Sequence, residues 1–524
     1  MTLKNRFLIA AFVVFAVSFI SRINVLDNLF VLDDFTLIIG NTFVHSLNNI
    51  LEVLNPKNIF YVLPIRCGAR PLAVASLIID YSAFGINPFG YHVVNLLIHS
   101  VNSVLVFVFV YFFNYKKTII YPLIASLFFS LHPIQSEVIN VISFRADLLL
   151  VFFYLLALIF VNLLQQYYKN NKLLYVLIFI TICCAFFTKE NAIILPIVLL
   201  LFSAFLYKDK QLNKFAIVSF IVIIFFFLFF WITRFPVPLF YTIYPNLDGN
   251  ITPLVSLFTY FNTIIASLFY NIIHIAYPVN LSVDYIVKSS VYVNIGIFVF
   301  IISIIYLFFY KIKDKNIKIF ILLTILTYLP VSNIIPLVNT VADRYMYMPM
   351  VAISILFGLV IFKIMGTINK IIIYVFIISL FALFTIISYQ RGEDFRNSYT
   401  LYSDAIIKNP NNIRTVYNMG VAYFSNGEYD KAISEFVKIS KINPVYMRDK
   451  IWLLTAMSYD EQNNKNLAQQ YYYKAFLLNP LDDEIRDNFI YSFTSFEEAK
   501  KYILTNTVRL NDNIYTALQK RSKI

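Results

Sequence analysis

Apolar runs long enough to cross a bilayer recur through the first 390 residues, near 7–25, 92–113, 119–136, 146–165, 172–188, 192–207, 215–233, 291–310, 318–335, 347–363 and 370–388. In lipid, such a run satisfies its backbone by closing hydrogen bonds on itself as a helix. The expected fold is therefore all-α, a polytopic membrane protein of about eleven transmembrane helices. Composition fits that class: 60% of residues are hydrophobic, 14% are charged, and the mean hydropathy is +0.72.

The net charge of +13 is spread over short loops and not concentrated on one face. With the amino terminus cytoplasmic, the internal segments hold Lys4 and Arg6, Lys116 and Lys117, Lys169 and Lys172, then Lys208, Lys210 and Lys214. Further on they hold Lys311, Lys313, Lys315 and Lys318, then Lys363 and Lys370. The positive-inside rule is met at every turn, so this charge is a topology signal and argues against a nucleic-acid partner. One segment resists. Pro253–Tyr277 is apolar and long enough to cross, yet counting it as a span would put the lysines of 311–318 outside. It is expected to be an interfacial or re-entrant helix within a long external loop, 234–290, with Phe258, Tyr260, Phe261, Phe269 and Tyr270 at headgroup level. Lys4 and Arg6 ahead of Phe7–Ile20 have the look of a signal peptide, but no small-residue cleavage site follows, so an uncleaved first span is expected. Cys67, Cys183 and Cys184 make no disulfide framework.

Hydropathy collapses after Gln390 and a different period begins. Val416, Met419, Gly420, Tyr423, Gly427, Ala432, Phe436 and Pro444 fit a tetratricopeptide repeat, with small residues where its two helices touch. A second copy follows in Trp452, Ala456, Tyr459, Ala468, Tyr472, Ala475 and Pro480. Tyr402, Ala405 and Pro410 read as the second half of a preceding repeat, and 482–524 as a degenerate cap. The division expected is a membrane domain over 1–390 and a repeat domain, an extracytoplasmic α-solenoid, over 391–524.

The first external loop, 26–91, carries V-L-D-D-F-T-L-I-I-G-N at 31–41. Asp33 and Asp34 stand where the chain leaves the bilayer, a place where a base can meet a lipid-borne substrate and a soluble acceptor. A solvated loop with capping aspartates would look the same in isolation. The other unexpected polar residues gather at the same helix ends: Arg70, His132, Gln135, Glu137, Arg145, Asp147, Lys189, Glu190, Asp343 and Arg344. Several cations and few acids at an external membrane surface suit a phosphate-bearing ligand, the rival being local ion pairs such as Asp343–Arg344 or Arg145–Asp147. His92, Asn95, His99 and Asn102 form one stripe on a span. His92 is the site candidate among them, and His99 and Asn102 are equally well read as an interhelical hydrogen-bonding seam.

In order along the chain, D-D-F at 33–35, R-P-L at 70–72, G-Y-H-V-V-N-L-L-I-H at 90–99, S-L-H-P-I-Q-S-E-V at 130–138, F-R-A-D-L-L at 144–149, T-K-E-N at 188–191, Y-L-P-V-S-N at 328–333, A-D-R-Y-M-Y-M-P at 342–349 and N-S-Y-T-L-Y at 397–402 carry a family likeness. The chain resembles the GT-C membrane glycosyltransferases, and more closely the transmembrane-and-tetratricopeptide-repeat O-mannosyltransferase family and its prokaryotic relatives. The resemblance implies transfer of a sugar from a polyprenyl-phosphate carrier to an acceptor hydroxyl on the extracytoplasmic side; the acceptor is expected to be a protein and the membrane the plasma (inner) membrane. It implies that an acid of the first external loop, by position Asp33, acts on the acceptor hydroxyl. Arg70, His92, His132, Glu137, Arg145, Lys189 and Arg344 are the candidate donor-phosphate and substrate residues. T-K-E-N departs from the S-K-P or S-K-E usual in the family, so Lys189 alone of that motif carries over.

A phosphate leaving group needs cationic stabilisation, from Arg145, Arg344 or Lys189, and no strong acid. The acceptor needs a base, Asp33, with Asp34 orienting it or holding a divalent cation such as Mg²⁺ or Mn²⁺. A single base without a carboxylate nucleophile favours one displacement with inversion. A transporter would show helices broken in mid-membrane, whereas prolines and charges here sit mostly at span ends. A catalytically inactive scaffold displaying repeats for envelope assembly, or an enzyme with a glycan or lipid acceptor, remains the alternative.

The topology has a direct test. Cysteines placed in 311–318 should label only from the cytoplasm and cysteines in 398–410 only from outside. Labelling of both from one face would overturn the eleven-span arrangement, with 253–277 as the extra crossing.

Overall fold

A computed structural model of the chain describes residues 2–55, 58, 70–113, 118–166, 171–202, 211–221, 224, 257–287, 296–299, 302–303, 306, 310–335, 337 and 339–506. The spans expected at 215–233 and 291–310 lie largely outside these residues. So do Cys67, Lys116, Lys117, Lys169, Lys208, Lys210, residues 234–256 and 288–290 of the long loop, and the stretch 507–524. No β-strand occurs among the described residues. Packing divides the chain into two compact units, one reaching Thr400 and one from Leu401 onward.

The first unit begins with α1 (Leu3–Ile20), started by Thr2, whose hydroxyl accepts from Asn5 N at 3.3 Å. There follow α2 (Pro71–Phe84), α3 (Pro88–Phe113), α4 (Ile120–Leu131), α5 (Arg145–Gln166), α6 (Lys172–Thr188), α7 (Leu195–Leu201), α8 (Leu257–Ala276), α9 (Lys315–Tyr328), α10 (Pro349–Ile364) and α11 (Lys370–Asp394). Asn171, Asp314 and Asn369 cap α6, α9 and α11 by accepting from backbone amides of the first turn. The stretches Pro88–Phe113, Ile142–Gln166 and Lys370–Asp394 are long and apolar enough to cross a membrane, and shorter apolar helices pack around them. Along α11, Ile371, Ile372, Val375, Phe376 and Ile378 are exposed, an outer face suited to lipid.

The core lies between α3, α4, α5 and α10. It extends to Phe202, just after α7, which meets Phe109 and Phe113 of α3 edge to face, and to Phe320 of α9, which meets Phe113 in the same way. Close approach of α4 and α10 depends on Gly358: a Cβ there would stand 2.9 Å from Ala125 Cβ. The first loop holds an element not expected from the sequence. Helix α2 is only 14 residues long, too short to register as a span, and places Val74, Leu77 and Ile78 against Phe30, Ile38 and Tyr91.

The second unit is a stack of helix pairs. After α12 (Ser398–Lys408), which straddles the division, come α13 (Ile413–Ser425), α14 (Tyr429–Ile442), α15 (Arg448–Glu461), α16 (Lys465–Leu478), α17 (Asp483–Tyr491) and α18 (Phe496–Asn506). The repeat prediction maps onto α13–α14 and α15–α16, the half repeat onto α12, and the described part of the cap onto α17–α18. Gly420 admits the Phe436 ring, whose Cε1 would lie 2.5 Å from an added Cβ. The turns within the two repeats need left-handed backbone, which Gly427 (φ +77°) and Asn463 (φ +61°) supply.

Candidate functional site

The segment between α4 and α5 is neither solvated nor apolar. Every residue from His132 to Asp147 is buried, in short helical turns at Pro133–Gln135, Ser136–Asn140 and Ile142–Phe144. Burying a polar chain is costly unless each group is paired, and the pairs come from motifs distant in sequence. Arg22, at the end of the first span, donates to the carbonyls of Ser130 (3.3 Å) and His132 (2.8 Å) and to Ser136 Oγ (3.0 Å). A guanidinium thus caps the carbonyl end of α4, where a cation is favoured. Asn28 donates to Asn140 Oδ1 at 2.7 Å and to Gly392 O at 3.3 Å.

The acidic pair divides into two roles. Asp34 has no exposed surface, and its carboxylate accepts from Ser143 N (2.7 Å), Val31 N (3.2 Å) and Ile142 N (3.3 Å). It ties the first loop to the buried plate. Asp33 is exposed, and its carboxylate has no hydrogen-bond or ion-pair partner among the described residues. Leu32, just before, has φ +53°, a conformation that costs a non-glycine residue about 1–3 kcal/mol. The turn then runs into a π-helical segment, Phe35–Ile39, closed by Gly40 N on Phe35 O at 2.8 Å. Burial raises the Asp34 carboxyl from 3.8 to about 6, and the amides of Ser143, Val31 and Ile142 offset only part of that.

The four candidate cations are each matched by a carboxylate. Arg344 pairs with Glu137 through its guanidinium and also through its backbone N–H (2.8 Å), and it lies over the Phe144 ring at 4.4 Å. Lys189 holds both oxygens of Asp147 at 2.7 Å, and Arg70 bridges Glu190 at 2.7 and 3.2 Å. Arg145 pairs with Asp80 and donates to Asn95 Oδ1 (2.7 Å) and Tyr91 O (3.1 Å), leaving its side chain 1% exposed. These pairs replace both the expected cation surplus and the local pairs Asp343–Arg344 and Arg145–Asp147. They join motifs far apart in sequence because loops, not helix turns, bring them together. Burial alone would raise Glu190, yet Arg70 and Lys189 hold its carboxyl at about 2. Burial lowers Lys189 despite Asp147.

Arg344 and Arg70 keep side-chain exposures of 16% and 32%, so they are the cations a ligand can reach. Arg145 is enclosed. His92 is fully buried beside the backbone of Asn28 and Leu29. His132 Nδ1 accepts from Ile134 N, which leaves Nε2–H to donate to Ile275 O of α8 at 3.0 Å, so this ring ties two elements together. His99 meets Tyr347 Oη (3.0 Å) and Ser130 O (3.2 Å), and Asn102 donates to Tyr347 Oη (3.1 Å) and Leu148 O (2.9 Å). The stripe on α3 below His92 is therefore a hydrogen-bonding seam.

Arg22 and Asp80, both central to this arrangement, escape the sequence because each sits at the end of an apolar run like an ordinary boundary charge. Asp80, with no opposite charge nearer in sequence than Arg70, carries the one signal; Arg22, with Asp27 five residues on, carries none. The metal role considered for Asp34 does not fit, since it is enclosed and three amides hold its oxygens. Among the described residues no group of three or more His, Cys, Asp or Glu side chains could hold an ion.

The tetratricopeptide-repeat family is matched at residues 401–434 and again at 449–480. Over 142 residues the chain is 32% identical to the protein O-mannosyl-transferase Tmtc1 of Drosophila melanogaster, covering 25% of this chain and 16% of that relative. It is 30% identical over 125 residues to protein O-mannosyl-transferase TMTC3 of Homo sapiens, covering 23% and 13% of the two chains. It is 37% identical over 83 residues to protein O-mannosyl-transferase tmtc2 of Xenopus laevis, covering 15% and 9%. The chain thus spans at most 16% of the length of these relatives. No solved structure matches. The family likeness carried by the motifs is supported over part of the chain, and the chain is an all-helical membrane protein with tetratricopeptide repeats.

Asp34 makes stability depend on pH. Its raised value means that the folded chain holds this proton more tightly than the unfolded one. The associated stability is complete below about pH 3.8 and is lost as pH rises through about 6. Asp34→Asn removes that component. In thermal unfolding of the detergent-solubilised chain, the margin of the native protein over Asp34→Asn should shrink across this window. A margin that does not change with pH would show that Asp34 is ionised throughout.

Proposed function

We propose that this chain is an integral-membrane glycosyltransferase that moves a sugar from a polyprenyl-phosphate carrier to an acceptor hydroxyl on a protein, at the extracytoplasmic face of the plasma membrane. The observation that carries this reading is the exposed Asp33, without a side-chain partner among the described residues, held on a strained turn and latched by Asp34 to the segment that ends on Phe144, beneath Arg344. The names of the similar proteins, all O-mannosyl-transferases acting on protein, agree with it and suggest a hexose.

The chemistry follows from these groups. The acceptor oxygen attacks the anomeric carbon while Asp33 takes its proton. The bond from that carbon to the phosphate oxygen breaks, and the polyprenyl phosphate departs as an anion with no protonation required. Arg344, with Arg70 and Lys189 behind it, stabilises the charge that gathers on phosphate. One displacement gives inversion. Asp34 acts through the turn as the orienting residue, and Arg145 supports the plate from within. The inactive scaffold draws support from one observation, that the four candidate cations are each already matched by a carboxylate.

Asp33→Asn keeps the size of the side chain and removes the base, so transfer from a polyprenyl-phosphate donor should fall about 10²–10⁴-fold while insertion and folding persist. Near-native transfer by this variant would sink the assignment. Native protein with no transfer to any acceptor would favour the scaffold.

The repeats are read as the element that selects a polypeptide acceptor and raises its concentration near the site. Deleting 411–524 should spare transfer to a short soluble acceptor and weaken transfer to the natural protein acceptor through a higher KM. Equal modification of the natural acceptor by the truncated chain would instead assign the repeats to assembly.

A further inference from the structure

Helix α8 is inverted relative to a soluble surface helix. Ile272 and Ile273 face outward, while Ser267, Asn271 and His274, at i, i+4 and i+7, line its buried side. Polar groups turned inward on an apolar helix are a functional feature by default. Part of the stripe is matched: Asn333 Nδ2 donates to Ser267 Oγ at 3.3 Å, and Asn271 Nδ2 donates to Tyr328 Oη at 3.2 Å. Two atoms are not. Asn271 Oδ1 and His274 Nδ1 meet no hydrogen-bonding partner among the described residues, although Asn271 is 2% and His274 7% exposed. Leaving both orphaned is costly unless something pairs with them.

The stripe is pinned to the plate from two sides. His132 Nε2–H holds the carbonyl of Ile275, the residue after His274. The Tyr285 ring lies 4.7 Å from the His274 ring, and its hydroxyl donates to Asp343, the neighbour of Arg344, at 2.6 Å. An amide oxygen, an imidazole nitrogen and aromatic rings, with no carboxylate or cation in the stripe itself, make a set for a neutral polyhydroxyl group and not for an ion. Through Asp343 that set adjoins the residue assigned to the donor phosphate.

Resting on the glycosyltransfer reading, we propose that Asn271 and His274 recognise hydroxyls of the donor hexose, so that α8 sets which sugar is transferred. A hydroxyl of the right configuration pairs the orphaned atoms, and an epimer leaves them unpaired, which is the basis of discrimination. Tyr285 contributes a ring face to the same subsite and holds the loop after α8 against Asp343.

The test uses the full-length chain in lipid nanodiscs, with polyprenyl-phosphate-linked mannose and its glucose epimer as probes. Binding of each is measured by competition, and transfer of each by product formation. The native chain is expected to favour one epimer. Asn271→Leu and His274→Phe should each move the ratio of the two toward one by about tenfold or more, whereas Asn271→Asp, which keeps an acceptor oxygen, should retain it. A ratio does not depend on the fraction of chain folded, so a poorly folding variant still reports. Equal affinity of the native chain for both epimers, or an unchanged ratio in both variants, overturns the inference and leaves the stripe as a buried water site. Selective, variant-sensitive binding without any transfer would uphold the subsite and overturn the glycosyltransfer reading instead.

Discussion

Burying the polar segment 132–147 is the constraint on which the rest of the first unit depends. Its carboxylates and guanidinium cannot be left unpaired at low dielectric, and among its side-chain amides Gln135 Oε1 alone finds no partner among the described residues. Their partners are drawn from the end of the first span (Arg22), the first loop (Asn28 and the Val31–Asp34 turn), α2 (Asp80), α3 (Asn95), the end of α6 (Lys189) and the segment before α10 (Arg344). Satisfying one buried segment thus gathers loops separated by up to 207 residues onto one surface.

Such pairs specify arrangement more than they add stability. Removing one member of a buried pair costs about 3–5 kcal/mol because the other is stranded, while an apolar replacement of both is often neutral. Their use here is geometric. Asp80 and Asn95 fix Arg145, Arg145 and Asp34 fix the segment Ile142–Phe144, and Phe144 carries Arg344. The strain at Leu32 is sustained by the same arrangement, since the three amides on Asp34 hold a turn that would otherwise relax.

The repeat unit rests on a different principle. Its helices meet through small residues and aromatic rings, as at Gly420 with Phe436 and Ala468 with the cluster around Phe476 and Phe489. Each pair covers the face its neighbour leaves open, and α17–α18, the last pair among the described residues, adds Ile485, Phe489 and Ile503 to the cluster around Phe476.

By itself the sequence determined the class of fold, because uninterrupted apolar length and a change of period near Gln390 are local properties of the chain. It also marked the residues of the plate as anomalous, since charge beside an apolar run is visible without coordinates, and it singled out the acidic pair. It did not divide Asp33 from Asp34: adjacent identical residues differ only in which one meets the amides of 142–143, more than 100 residues away. Nor did it show that Arg145 is enclosed and Arg344 reachable, or that Asp80 and not Asp147 neutralises Arg145. Those distinctions were decided by tertiary structure alone. Burial and pairing are relations between segments, and a charge acquires its role from the partner that the fold brings within about 3 Å of it.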